Sequence, residues 1–186
     1  MVGPLPELLD LVLGNQIYIS KADLTPSLRN RLIRLAAFQN PEFYQAQGMR
    51  LSTFGKPRVI SCCEDFPKHL GLPRGCLDEL LALLTSLNIK VNLTDKRCIG
   101  SRLDVQFHGV LHDEQQQAAA ALHQHEMGIL AASTAFGKTV VAAYLIAQRQ
   151  VNTLVIVHRR QLLDQWIRAL SQFLGLSPKE IGQIGG

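Results

Sequence analysis

The sequence predicts an α/β chain in two parts: a small N-terminal α/β module, residues 1–103, then the opening of a parallel-sheet phosphate-loop domain, residues 104–186. Three observations predict it. Ala132-Ser133-Thr134-Ala135-Phe136-Gly137-Lys138-Thr139 ends in Gly-Lys-Thr between a short apolar run, Gly128–Ala131, and a helix-like run, Val140–Arg149. Leu154-Val155-Ile156-Val157 is continuously apolar, as a central parallel strand is. Residues 59–93 read strand, loop, helix, strand, the grammar of a small α/β unit.

Composition narrows the class. At 186 residues the chain holds one or two domains, and 47% hydrophobic content with mean hydropathy near zero describes a globular protein. No apolar run approaches the ~18 residues that cross a bilayer, and the first ten residues lack a basic leader. The expected location is cytoplasmic, with no membrane partner. Net charge is +4, and residues 1–105 carry thirteen Lys/Arg against ten Asp/Glu, a mild excess that suits a polyanion partner. Cys62, Cys63, Cys76 and Cys98 include no C-x-x-C pair and read as buried free thiols.

Leu5, Leu8, Leu9, Val12 and Leu13 stand at helical spacing behind Pro4, which predicts a helix over 4–13. Ile17–Ile19 suits a short strand. Thr25-Pro26 opens a helix to about Phe38, with Leu28, Leu32 and Leu35 inward and Arg29, Arg31 and Arg34 largely off that face. The arginines form either a solvated edge or a phosphate-contacting one. Asn40-Pro41 ends that helix, and Glu42–Gln47 adds another turn or two. Met49–Arg58 then gathers Arg50, Lys56 and Arg58 around Phe54 and Gly55, which suits a nucleic-acid loop and an ordinary connection equally. Val59–Cys63 reads as a strand, Leu77–Leu87 as a helix and Ile89–Leu93 as a strand with one wet face.

In the second part, Asp104–Val110 alternates as a strand does, and Gln115–His125 follows the acids Asp113 and Glu114 as a helix. Val140–Ala147 is apolar nearly all round, so its helix must be covered on more than one side. The last helix carries Leu162, Leu163, Trp166, Ile167, Leu170, Phe173 and Leu174 on one face.

The chemistry rests on the Gly-Lys-Thr loop. Consecutive backbone N–H groups there can cradle phosphate oxygens, helped by the partial positive charge of the next helix's N-terminus. Lys138 would reach the β/γ-phosphates of ATP and the Thr139 hydroxyl would ligate Mg²⁺. The strict pattern opens with Gly where Ala132 stands, and Ala135 fills a position often held by Gly. Hydrolysis also needs an acid at a strand end to hold the metal and position water. After Thr139 the acids are Asp164, inside a helix, and Glu180, in a turn; Glu64-Asp65 and Asp113-Glu114 precede the loop. The chain reads as stopping mid-sheet.

These residues resemble the superfamily 2 DExH-type helicases, in the branch of type III restriction motor subunits, excision-repair translocases and phage recombination helicases. Leu111-His112-Asp113-Glu114-Gln115-Gln116 is similar to that branch's Leu-Arg-Pro-x-Gln-Gln, whose glutamine contacts adenine; here that is Gln115. Ala132, Ser133, Thr134, Ala135, Phe136, Gly137, Lys138 and Thr139 resemble its Ala-Pro-Thr-Gly-x-Gly-Lys-Thr. Thr153–Trp166 looks like the next motif, in which Arg159 and Arg160 would touch the nucleic-acid backbone. The N-terminal module looks like an accessory DNA-binding domain. The resemblance implies a RecA-like fold, ATP and Mg²⁺ as cofactors, single- or double-stranded DNA as partner, and a motor whose Asp-Glu-x-His and second, C-terminal motor domain are absent from this sequence. Such a chain would bind ATP and DNA without hydrolysing ATP by itself. The alternatives are another phosphate-loop nucleotide-binding protein and a non-catalytic nucleic-acid-binding remnant.

Overall fold

Leu9, Leu11 and Leu13 lie on one side of a six-residue strand, β1 (Leu8–Leu13), and form the centre of the first core. This is a computed structural model, and it describes residues 4–185. Met1–Gly3 and Gly186, the outer ends of the two expected parts, lie outside the described residues. The chain divides into two compact units, Met1–Cys98 and Ile99–Gly186.

The helix expected over 4–13 is not formed. The run Leu-Leu-Asp-Leu-Val-Leu satisfies both periods, and the neighbours decide between them. β1 pairs antiparallel with β2 (Ile17–Ser20), Leu11 facing Ile19 and Leu13 facing Ile17, across a tight Gly14-Asn15-Gln16 turn. On its other edge it runs parallel to β7 (Lys90–Asp95), in register from Leu8 opposite Lys90 to Leu13 opposite Asp95. A strand flanked on both edges satisfies all its backbone groups, which a lone amphipathic turn cannot match. The sheet order is β5 (Glu64–Asp65), β6 (His69–Leu72), β2, β1, β7.

Two helices cover this sheet. α1 (Pro26–Leu35) starts where predicted: the Thr25 hydroxyl accepts from the Leu28 N–H at 3.3 Å, and Pro26 sits in the first turn. It buries Leu28 and Leu32; α3 (Leu77–Ser86) buries Leu80 and Leu84. These four leucines meet Leu9, Leu11, Leu13, Ile17, Ile19, Leu70 and Leu72 in one cluster. Arg29 is not a free edge cation: it pairs with Asp65 at 2.8 Å, and Lys21 joins them. The Lys21 hydrogen bond, with Arg29 beside it, holds the Asp65 carboxyl below the usual carboxylate range. Glu64-Asp65 is therefore committed within this unit rather than poised as a catalytic pair.

A smaller ribbon stands beside that sheet in sequence: β3 (Ala37–Gln39) pairs antiparallel with β4 (Val59–Ser61), enclosing α2 (Pro41–Gly48). The cysteines are free, but the expectation of burial fails at Cys62 and Cys98, which are exposed. Cys63 and Cys76 are half-buried, and desolvation pushes both thiols up.

The second unit contains α4 (Asp113–His123), α5 (Lys138–Arg149) and α6 (Arg160–Leu174). α5 is covered on two sides, as its composition requires. Val141 joins Leu111 and Ala119 in one cluster; Ala143, Ile146 and Ala147 join Val105 and Leu174 in another. The strands expected at 104–110, 128–131 and 154–157 are not formed: among the described residues this unit has no named strand, only an isolated bridge between Arg102 and Val151. The alternation of Leu103, Val105 and Phe107 reflects docking against helices instead. Phe107 stacks on Phe173 and meets Tyr144 edge-on. Ile129 and Ile156 are 93% and 85% exposed, for a physical reason: a parallel strand is stable only with neighbours on both edges and cover on both faces.

Candidate nucleotide site

The predicted loop leads into α5 as a phosphate-binding loop should. Gly137 caps the helix at φ +87°, in the left-handed region, and Lys138 and Thr139 are the first two helical residues. The Val140 and Val141 N–H groups close onto the Gly137 carbonyl, so the helix begins tightly. Phe136 anchors the loop by packing against the Leu111, Ala119 and Val141 cluster. Ala132 and Thr139 are half-buried; Ser133, Thr134, Ala135 and Lys138 face solvent.

Ala135 has φ +69°. An L-residue held there costs about 1–2 kcal/mol, which explains why the position is open to glycine. The Lys138 ammonium donates to the Ala132 and Ser133 carbonyls at 2.8 and 2.7 Å. The cation is thereby held against the loop's own backbone.

Gln115 joins this loop across 21 residues of sequence. It sits in the first turn of α4, is 7% exposed, and its side-chain oxygen accepts from the His112 N–H at 3.1 Å. That is the reach-back half of a capping box. Its amide nitrogen donates to the Phe136 carbonyl at 2.7 Å. A Cβ on residue 137 would lie 2.5 Å from that nitrogen, so the Gln115 amide would have to shift, in addition to the strain of the positive φ. Each end of the Gln115 amide retains one unused position, a lone pair on oxygen and a proton on nitrogen.

His112, Asp113, Glu114 and Gln115 line an open cleft of about 540 Å³ with Ser133, Thr134, Ala135 and Phe136. Sequence reasoning singled out Gln115 and the loop. It did not place Asp113 and Glu114, whose charges suit the N-terminus of α4 yet face the same cleft. Arg159 and Arg160 are not among its lining residues. Arg159 caps α6 and Arg160 pairs with Asp164 at 3.4 Å; both arginines are exposed. Glu180 accepts from the Ser177 N–H at 2.7 Å, which lowers its pKa, and it stays in that turn. Among the described residues no group of three or more His, Cys, Asp or Glu could hold a metal.

A known family matches this same region. Residues 108–185 match the family described as type III restriction enzyme, res subunit. That span holds Gln115, the whole Gly-Lys-Thr loop and Arg159-Arg160. This part of the chain is similar to superfamily 2 helicase sequence. A protein named "Putative helicase 109L" from Invertebrate iridescent virus 3 is 31% identical over 94 residues, covering 48% of this chain and 28% of that protein. The "DNA 3'-5' translocase XPB2" of Sulfurisphaera tokodaii is 34% identical over 76 residues, covering 41% of this chain and 17% of that protein. The chain therefore spans less than a third of the length of either relative. Among the described residues no helix is long and apolar enough to cross a membrane.

Proposed function

We propose that the chain is the ATP- and DNA-binding portion of an ATP-dependent DNA helicase or translocase, residues 1–103 being an accessory DNA-binding module and 104–186 the start of a RecA-like domain. In this reading Ala132–Thr139 takes the phosphates, Lys138 counters their charge and Gln115 spends its spare donor and acceptor on adenine. Bound Mg²⁺ would supply further charge neutralisation, ligated by the Thr139 hydroxyl; Arg159 and Arg160 would contact the nucleic-acid backbone. The observation that carries the reading is the hydrogen bond from Gln115 to Phe136, which ties the adenine-reading motif to the phosphate loop.

The donor set fits a polyphosphate. Lys138 is bound only to neutral carbonyls, and an anionic phosphate oxygen adds a charge–charge attraction to the ammonium that a carbonyl dipole lacks. The fit to a catalytic metal site is incomplete among the described residues, since the acids after Thr139, Asp164 and Glu180, are held by Arg160 and by the Ser177 turn, so turnover by this chain is not expected. Equilibrium titration with a fluorescent ATP analogue and Mg²⁺ tests the proposal. Lys138→Ala should weaken binding about tenfold or more, the scale of a lost hydrogen bond to a charged group. A second reading, a loop that no longer takes nucleotide, draws on the strained Ala135. Absence of any binding by the unmodified chain would select it.

A further inference from the structure

The segment between α2 and β4 presents an aromatic side chain to solvent on a turn held from beneath. Phe54 is 96% exposed. It sits beside Gly55, at φ +76°, in a turn closed by the Lys56 N–H bonding to the Thr53 carbonyl at 3.1 Å. Burying Phe54 would have been favourable by about 2 kcal/mol, so its position away from the core has to be imposed by the chain around it.

Asn40 imposes it. This buried side chain accepts from the Glu42 N–H at 3.1 Å and donates to the Pro57 carbonyl at 2.8 Å; its backbone N–H donates to Arg58 at 3.0 Å. Both ends of a 17-residue excursion are thereby fastened to one residue. Near the start of the turn, the Leu51 N–H bonds to the Ala46 carbonyl at 2.8 Å. The Arg58 guanidinium lies over the Phe43 ring at 5.5 Å.

Along the chain, the charge on either side of Phe54 has one sign. From Phe43 to Cys63 there is no acidic residue, while Arg50, Lys56 and Arg58 are present. Neither Arg50 nor Lys56 has a salt-bridge partner among the described residues, unlike Arg29, which Asp65 neutralises. An exposed ring with unneutralised cations on either side is the arrangement that takes a base face and its flanking phosphates together.

We propose that the Met49–Arg58 turn is a single-stranded nucleic-acid contact, Phe54 stacking on a base while Arg50 and Lys56 meet the adjoining phosphates. This deepens the nucleic-acid half of the function proposed above and rests on it. A held turn suits the role because the ring pays little ordering entropy on binding.

The test is fluorescence anisotropy with labelled oligo(dT) on the full chain, with thermal unfolding as a control. Phe54→Ala should weaken binding about 5- to 150-fold, the range for losing one stacked base. Lys56→Gln should lower the slope of log K against log salt by about 0.7. Phe54→Trp should retain affinity and show quenching beyond that of Trp166 in the unmodified chain. Unchanged binding by Phe54→Ala would overturn the assignment while leaving the chain a DNA binder; tighter duplex binding, insensitive to Phe54, would do the same. Failure of the unmodified chain to bind any DNA would sink both this contact and the nucleic-acid half of the function. The nucleotide half would still stand or fall by Lys138→Ala.

Discussion

Gly137 carries two demands that converge on one atom. Its φ of +87° favours glycine, and a Cβ there would sit 2.5 Å from the Gln115 amide nitrogen. Gly137→Ala should therefore cost about 1–2 kcal/mol in backbone strain and also displace Gln115 from the Phe136 carbonyl. The expected result is a lower unfolding midpoint together with loss of ATP-analogue binding. Gly182→Ala, where an added Cβ meets nothing within 4 Å, is the matched control and should be silent in both measurements. If Gly137→Ala lowers stability but leaves nucleotide affinity intact, the coupling of Gln115 to the loop has no functional weight. At this scale the sequence was informative. The glutamine 22 residues before Gly137 lines the cleft together with residues 133–136, while Gly-Lys-Thr itself lies outside its lining. The motif was still legible, because backbone conformation and hydrogen-bond chemistry are written in residue type. The folding of Lys138 onto its own loop was not legible, since carbonyls carry no sequence signature.

At the scale of the element, β1 shows how two periods can occupy one stretch. Helical spacing would bury Leu5, Leu8, Leu9, Val12 and Leu13; the strand buries Leu9, Leu11 and Leu13 and leaves Leu8 exposed. Leu11→Ala should destabilise the chain by about 2–5 kcal/mol in chemical denaturation, and Leu8→Ala by well under half of that. The reverse order would mean the segment is helical. Chemical punctuation was more legible at one end than the other: Thr25-Pro26 opens α1 as expected, but that helix stops at Leu35 rather than near Phe38. β3 follows, and Asn40-Pro41, read as the end of that helix, instead opens α2. Each cap puts a side-chain oxygen on the helix's first N–H groups. A leucine-rich run without a cap has no such signal. Its conformation is settled by β2 and β7, one of which lies some 80 residues away in the chain.

Taken as a whole molecule, the two units are built differently. The first has a five-stranded sheet under two helices, so its central amides are paired and buried. The second packs α4 and α6 against α5, while two largely apolar segments, 129–131 and 153–157, have no ladder partners among the described residues. Amide hydrogen exchange should find strong protection in β1, β2 and β6, and rapid exchange in 129–131 and 153–157. Protection of those two segments comparable to β1 would mean that they pair in solution. The apolar composition of these runs predicts strands, and the structure does not form them. Composition states what a segment can pair with, whereas pairing needs edges supplied by other segments.

The sequence by itself marked the candidate nucleotide site, the start of α1, the cover of α5 on more than one side and the helicase-like order of motifs. These depend on residue type and short spacing, which are local properties. Tertiary structure decided the rest. It made residues 8–13 a strand, consigned Asp65 to an ion-pair group, and joined Gln115 to the Phe136 carbonyl. It also set Phe54 on a turn clamped by Asn40. Each is a contact between residues far apart in the chain, and local pattern cannot specify which distant partner satisfies a given polar group or covers a given apolar face.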